Sequence, residues 1–129
     1  MQMRFLAAMI LTSCAPSLTQ VTPGSEFELA PGRSVQLAGT GIILSMVDVA
    51  NDSRCPVDVV CVTAGNAEVR FRVRGEGDER VVSLHTMQEP KAVTVASVRL
   101  ELVSLAPPNR AAAPPAPAEY RAGIRWSTP

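Results

Sequence analysis

The sequence predicts an all-β fold, an antiparallel β-sandwich of Ig-like or Greek-key character with about seven or eight short strands. Apolar and polar residues alternate with a period of two in most segments beyond residue 26, which is the pattern of half-buried strands. Turn signals rich in glycine, proline and acidic residues separate these segments, and no segment has a convincing helical period. A chain of 129 residues is long enough for one such domain.

The N-terminal segment has the pattern of an export signal. Arg4 precedes an unbroken apolar run over residues 5–11, which is too short for a bilayer core that needs about twenty residues. Residues 11–14, Leu-Thr-Ser-Cys, resemble the lipobox of bacterial lipoproteins. This resemblance implies a signal peptide over residues 1–13 and lipidation of Cys14. The alternative is an ordinary signal peptide with a chance cysteine near its end.

The cysteine count supports both a lipid and a disulfide. The chain has three cysteines, so a bridge between Cys55 and Cys61 leaves one over in an oxidising compartment. Lipidation of Cys14 accounts for the odd residue. The prolines, glycine and hydroxyl residues of 14–25 predict a flexible tether between lipid and domain. The β-domain is then expected over residues 26–129.

The predicted strands follow one another through this domain. In residues 68–74 apolar side chains alternate with three arginines, so the apolar ones are expected to face the core. Residues 42–49 are largely apolar on both faces, which favours a central strand. The other predicted strands are residues 27–29, 35–37, 80–85, 93–95, 98–105 and 120–126.

A segment rich in proline and alanine interrupts the last two predicted strands. Residues 106–118 can be neither a strand interior nor a regular helix, because proline lacks the amide donor that both require. We expect a long hairpin loop that joins strand 98–105 to strand 120–126. Loops of this length in a compact domain are commonly functional or disordered.

Polar, charged and cysteine residues gather in residues 52–65, which we call the corner. Asn51-Asp52-Ser53 is strong turn chemistry. A bridge between Cys55 and Cys61 would close a short loop and contribute about 2 kcal/mol. The plain interpretation is a cross-linked turn between two strands.

Two interpretations remain open for the charged residues of the corner. In the first, Asp52 caps the turn and pairs with Arg54. In the second, the corner is a binding site in which Arg54 offers its planar guanidinium to a carboxylate or phosphate, and Asp52 and Asp58 orient it.

The corner also carries a resemblance. Residues 52–56 read Asp-Ser-Arg-Cys-Pro and are followed by Cys61 and an Ala-Gly step. This pattern resembles a motif of small secreted proteins and lipoproteins of bacteria, in which a second cysteine and a Trp-Ala-Gly step lead into a strand. Thr63 stands where that tryptophan usually lies. The resemblance implies a cross-linked β-rich domain and brings no activity with it.

Catalytic and metal-binding patterns are sparse. Ser83 and His85 share a strand face, but no nucleophile elbow surrounds the serine. His85 and Met87 are too few ligands for a soft metal ion. The cysteines lack the Cys-x-x-Cys spacing of redox proteins. We therefore expect no enzyme, no cofactor and no metal.

Charge indicates little about the partner. Twelve basic residues balance twelve acidic ones, so nothing attracts nucleic acid and none is expected as a partner. The arginine row, Arg70, Arg72 and Arg74, is either a surface for anionic lipid headgroups or a solvated strand face. In the second case acids such as Glu101 are expected to balance it across the ladder.

The sequence thus predicts a lipid-anchored lipoprotein of the bacterial envelope with a non-enzymatic structural or binding role. Ala15 follows the modified cysteine, and by resemblance to Gram-negative sorting this favours the outer membrane, facing the periplasm. The expected partners are the membrane, through the N-terminal lipid, and an envelope protein or glycan. The alternative is a lipoprotein that inhibits a hydrolase by inserting a loop, and a more distant one is a Ser/His hydrolase.

Overall fold

The computed structural model describes Ile10 and residues 18–129, and these residues form a β-sandwich of two sheets. The predicted all-β, largely antiparallel architecture is confirmed. The predicted signal peptide and Cys14 lie outside the described residues. In the described part of the chain, no helix is long and apolar enough to cross a membrane.

Nine strands make up the two sheets of the described chain. The five-stranded sheet contains, in spatial order, β1 (Gln20–Val21), β3 (Ser34–Leu37), β4 (Ile42–Asp52), β5 (Ala67–Gly75) and β6 (Asp78–His85). The four-stranded sheet contains, in spatial order, β2 (Glu26–Leu29), β9 (Arg121–Ser127), β8 (Val98–Ala106) and β7 (Ala92–Val95). Neighbouring strands are antiparallel except for β1 and β3.

Each predicted strand corresponds to one of these elements. β4 lies in the middle of the five-stranded sheet, as its two apolar faces predict. β8 and β9 pair as the predicted hairpin, with Leu100 opposite Trp126. The long loop between them ends in a 3-10 turn, Pro117–Glu119.

The core lies between the two sheets and is built by alternation. Val69, Phe71 and Val73 of β5 are buried, and the arginines between them point outward. Trp126 of β9 is among the largest fully buried side chains. No polar or charged residue of the described chain is buried. Hydrophobic burial is therefore the main stabilising term in the fold.

The ordered domain begins earlier than the sequence predicts. Within the expected tether of residues 14–25, Gln20 and Val21 form β1 on the edge of the five-stranded sheet. The indole Nε1 of Trp126 donates to the Val21 carbonyl at 3.1 Å, and the amide of Gly24 donates to the Trp126 carbonyl at 2.8 Å. A buried indole N–H needs an acceptor, and β1 supplies it.

The arginine row is balanced by acids other than the expected one. Arg70 forms a bidentate pair with Asp48 on β4, and Arg72 and Arg74 contact Glu79 on β6. The prediction that Glu101 balances this row is wrong, because β8 belongs to the other sheet. There Glu101 contacts Arg99 and Arg125.

One end of the sandwich collects the connections between these strands that matter for the site. We call it the corner end. At this end β4 ends and β5 begins, and β8 ends and β9 begins. The corner leaves the five-stranded sheet at this end, and the β8–β9 loop, residues 107–120, leaves the four-stranded sheet beside it. The two predicted binding elements are therefore neighbours.

Candidate functional site

A disulfide and a short backbone ladder hold the corner. Cys55 and Cys61 are bonded, with their Cα atoms 5.9 Å apart, which confirms the predicted bridge. The amide of Ser53 donates to the Asn66 carbonyl at 2.8 Å, and the amide of Cys55 donates to the Ala64 carbonyl at 3.0 Å. These bonds continue the β4–β5 pairing to the base of the disulfide loop.

Gly65 is required by the backbone path of the corner. It has a φ of +68°, and a Cβ built there would lie 1.8 Å from the carbonyl oxygen of Ser53. Glycine adopts this left-handed conformation without steric cost and leaves room for the facing strand. The Ala-Gly step of the sequence motif thus has a local structural reason.

Arg54 joins the corner to the β8–β9 loop. Its Nε and Nη2 atoms each donate to one carboxylate oxygen of Asp52 at 2.8 Å. Its Nη1 donates to the Leu105 carbonyl and its Nη2 to the Pro107 carbonyl, both at 2.9 Å. The guanidinium is therefore occupied inside the protein, so its contacts favour the structural interpretation over recognition of an external anion.

Tyr120 completes this network from the start of β9. Its hydroxyl donates to Oδ2 of Asp52 at 2.8 Å. Burial and this hydrogen bond raise the pKa of Tyr120 to about 12. Burial opposes ionisation of Asp52, but the hydrogen bonds from Arg54 and Tyr120 outweigh it and hold the pKa of Asp52 below its ordinary value. Asp52 is thus a largely shielded anchor that stays ionised.

Asp58 lies in the disulfide loop and also faces the β8–β9 loop. Its Oδ1 accepts a hydrogen bond from the amide of Ala111 at 3.0 Å. Beside it, the amide of Val57 donates to the Asn109 carbonyl at 2.9 Å, and Nδ2 of Asn109 donates to the Arg54 carbonyl at 3.0 Å. The two loops are thus connected as one rigid unit.

The disulfide loop exposes a cluster of valines. Val60 and Val62 have exposed fractions of 101% and 106%, so their side chains contact solvent as completely as in an extended peptide. Val57 and Val59 are also exposed. We call these four residues the valine tip. Large apolar side chains grouped in one exposed place commonly mark a binding surface.

A shallow, mostly apolar cleft lies beside the network at the corner end. Its volume is about 460 Å³. Val47 and Val49 of β4 form one wall, and the prolines of the β8–β9 loop, Pro115 and Pro117, form the other. Tyr120 also lines it. The size is in the range of ligand pockets.

Ser83 and His85, the pair that the sequence places on one face of a strand, contact different side chains. Nδ1 of His85 lies 3.0 Å from Nδ2 of Asn66, and the hydrogen bond from Ser83 lowers the pKa of Glu68. The two side chains therefore engage different partners. No group of three or more potential metal-ligating side chains occurs in the described part of the chain.

The structure brings the three predicted binding residues, Asp52, Arg54 and Asp58, into one corner, where their side chains form hydrogen bonds within the protein. Sequence reasoning missed Asn109 and the bond that Tyr120 makes. Asn109 is the one amide side chain in an otherwise proline- and alanine-rich loop, and that isolation was a usable signal. No protein-family model, curated protein or solved structure matches the chain.

Proposed function

We propose that this chain is an exported lipoprotein of the bacterial envelope, anchored through Cys14, whose β-sandwich is a non-enzymatic binding module. Three features of the sequence support export: the N-terminal apolar run, the lipobox-like residues 11–14, and the odd cysteine count. The Cys55–Cys61 bridge agrees with an oxidising compartment, where disulfides persist.

The observation that carries the binding role is the valine tip. A loop that exposes four valines is unfavourable in water unless a partner covers it. The tip is held at its base by the disulfide and at its side by the bonds of Val57 and Asp58 to the β8–β9 loop. A rigid apolar surface loses little conformational entropy on binding, which favours affinity.

The anchor is tested by intact mass measurement and membrane fractionation of protein expressed in a Gram-negative host. We expect cleavage before Cys14, a mass increase from acyl groups, and release of a Cys14→Ala variant from the membrane fraction. A wild-type protein that retains residues 1–13 or carries an unmodified Cys14 would contradict the anchor.

The binding role is tested by a photo-crosslinking amino acid placed at Val60 in living cells. The matched control is the same amino acid at Val81, an exposed valine on β6 that lies outside the corner. We expect an adduct from position 60 and none from position 81. Equal labelling from both positions would contradict a specific surface at the corner end.

A second candidate function is a lipoprotein that inhibits a hydrolase by inserting a loop. The observation that favours it is the disulfide cross-link of the corner, which holds a loop with exposed apolar side chains. The variant Val60→Asp/Val62→Asp changes only exposed side chains, so it should fold normally and lose inhibition of a sensitive envelope hydrolase. Unchanged inhibition by this variant would exclude the tip as the inserted element.

A further inference from the structure

β1 runs away from the corner end of the sandwich. β1 runs parallel to β3, with Val21 beside Leu37. Leu37 pairs with Ile42, the first residue of β4, so β3 runs away from the end at which β4 reaches Asp52. Leu18 and Thr19, which precede β1, therefore lie on the side of β1 that faces the corner end, where the valine tip lies.

The four residues that precede Leu18, beginning with Cys14, reach less far than the domain extends from Leu18 toward the corner. Four residues span at most about 14 Å. Gln20 pairs with Gln36, so Leu18, two residues earlier, lies level with Ser34, which pairs with Ser45. Ser45 in turn pairs with Arg72, and the five residues of β5 from there to Ala67 at the corner span roughly 17 Å. The corner extends further still. A lipid at Cys14 would therefore hold the corner end close to the bilayer surface.

The chemistry of the tip suits such a surface. Asp58 is the only charged residue between Cys55 and Thr63, and its carboxylate already accepts the Ala111 amide. Arg110 is exposed next to that amide, so a basic side chain lies beside the apolar tip. Apolar side chains beside a basic residue are typical of segments that enter the interface of an anionic bilayer.

We propose that the valine tip inserts into the interface of the bilayer that holds the lipid of Cys14, and that Arg110 contacts the phosphates of anionic headgroups. The proposal rests on the proposed function, because it takes the tether at Cys14 from there. The tip then acts as a second attachment point that fixes the orientation of the sandwich on the membrane.

The test places a reporter in the tip and measures its contact with lipid. In the variant Val60→Trp the new indole replaces a fully exposed side chain, so folding should not change. The native Trp126 is buried and serves as an internal unquenched reference. The full chain is coupled through the Cys14 sulfur to a maleimide lipid in vesicles of phosphatidylethanolamine and phosphatidylglycerol that contain brominated acyl chains. Cys55 and Cys61 are bonded to each other and do not compete for the coupling.

We expect the emission of the indole at position 60 to shift to the blue and to be quenched by the brominated chains. The matched control Val81→Trp, on β6, should show neither change. Absence of quenching at both positions, or equal quenching at both, would overturn the proposal. A photo-adduct from position 60 to a protein, together with no quenching, would also overturn it and assign the tip to a protein partner.

The contribution of Arg110 gives an independent measurement. With Arg110→Gln in the Val60→Trp background, the ratio of inserted to free tip should fall by roughly fivefold, the factor for one basic side chain near an anionic surface. Quenching that is unchanged by Arg110→Gln and by replacement of phosphatidylglycerol with phosphatidylcholine would refute the headgroup contact. The chemical tether keeps these results independent of whether cells lipidate Cys14, so failure of the anchor and failure of the tip are distinguishable.

Discussion

Replacement of Arg54 by alanine should destabilise the domain far more than loss of an ordinary surface ion pair. The Arg54 side chain is only 15% exposed and its partner Asp52 only 10%. The substitution removes two hydrogen bonds to the carboxylate, one to the Leu105 carbonyl of β8 and one to the Pro107 carbonyl of the β8–β9 loop. It leaves Asp52 charged and largely shielded from water, with Tyr120 as its remaining side-chain donor.

The magnitude follows from the cost of leaving one member of a buried pair unmatched, which is typically about 3–5 kcal/mol. Because Asp52 keeps the bond from Tyr120, we expect the lower limit, about 3 kcal/mol. For a domain of this size that corresponds to a decrease in melting temperature of roughly 10–20 °C. Thermal unfolding followed by circular dichroism and chemical denaturation both measure it.

The matched control is Arg80→Ala. Arg80 also contacts an aspartate two residues away, Asp78, at 2.8 Å, but the two side chains are 67% and 59% exposed. Exposed pairs contribute about 0–1 kcal/mol. If Arg54→Ala is no more destabilising than Arg80→Ala, the assignment of Arg54 as a structural tie between the two loops is refuted.

The pH dependence provides a second check on the same pair. The pKa of Asp52 is lowered in the folded protein, so the stability that it contributes is complete above its unfolded pKa of about 4. That stability is lost as the pH falls through the lower folded pKa. The difference between wild type and Arg54→Ala should therefore shrink in acid below about pH 4. A difference that stays constant into strong acid would contradict the ion pair as its cause.

Three further predictions concern the same end of the molecule. The chain has a single tyrosine, so near-ultraviolet absorbance should show Tyr120 titrating with a pKa of about 12 in the folded protein. The stability that Tyr120 contributes should be present below its unfolded pKa of about 10 and lost as the pH rises toward 12. A folded midpoint near 10 would contradict the bond to Asp52. Gly65→Ala should lower the free energy of unfolding by at least about 2 kcal/mol, because of the left-handed backbone at residue 65 and the clash with the facing backbone. The control Gly77→Ala, where φ is +75° and the space around the residue is open, should lower it less; denaturant unfolding measures both. Replacement of Cys55 and Cys61 by serine should lower the free energy of unfolding by about 2 kcal/mol, and a variant as stable as wild type would show that the other contacts of the corner already fix the loop.

The strands could be predicted from the sequence because their signal is local. In β5 the alternation of Val69, Phe71 and Val73 with arginines states which side faces the core without reference to any other part of the chain. β4 and the β8–β9 hairpin were predictable for the same reason. The disulfide was predictable because only two cysteines remain once Cys14 is assigned to the lipid.

What could not be predicted depends on contacts between distant parts of the chain. β1 has two residues, which are too few for an alternating pattern to be recognised. Nothing in the sequence indicates that the Val21 carbonyl accepts the hydrogen bond from the indole of Trp126. Tyr120 and Asp52 are 68 residues apart, so their bond follows only from the way two sheets meet at one end. Glu101 was assigned to the wrong arginines. Alternation shows which side of a strand faces the core, but it does not show which sheet the strand belongs to.

The corner combines charged residues that bond within the protein with valines that face solvent. Arg54 and Asp52 look like a recognition pair in sequence, yet their donors and acceptors are used to join two loops. The valines look like core residues, yet Val60 and Val62 face water completely. Both facts follow from the same constraint. Apolar residues on a free loop would fold back on the protein or pair as a strand, because burial favours that outcome. The disulfide at the base of the loop and the Asp52–Arg54 tie beneath it oppose such a collapse, so the polar residues of the corner help to keep its apolar residues exposed.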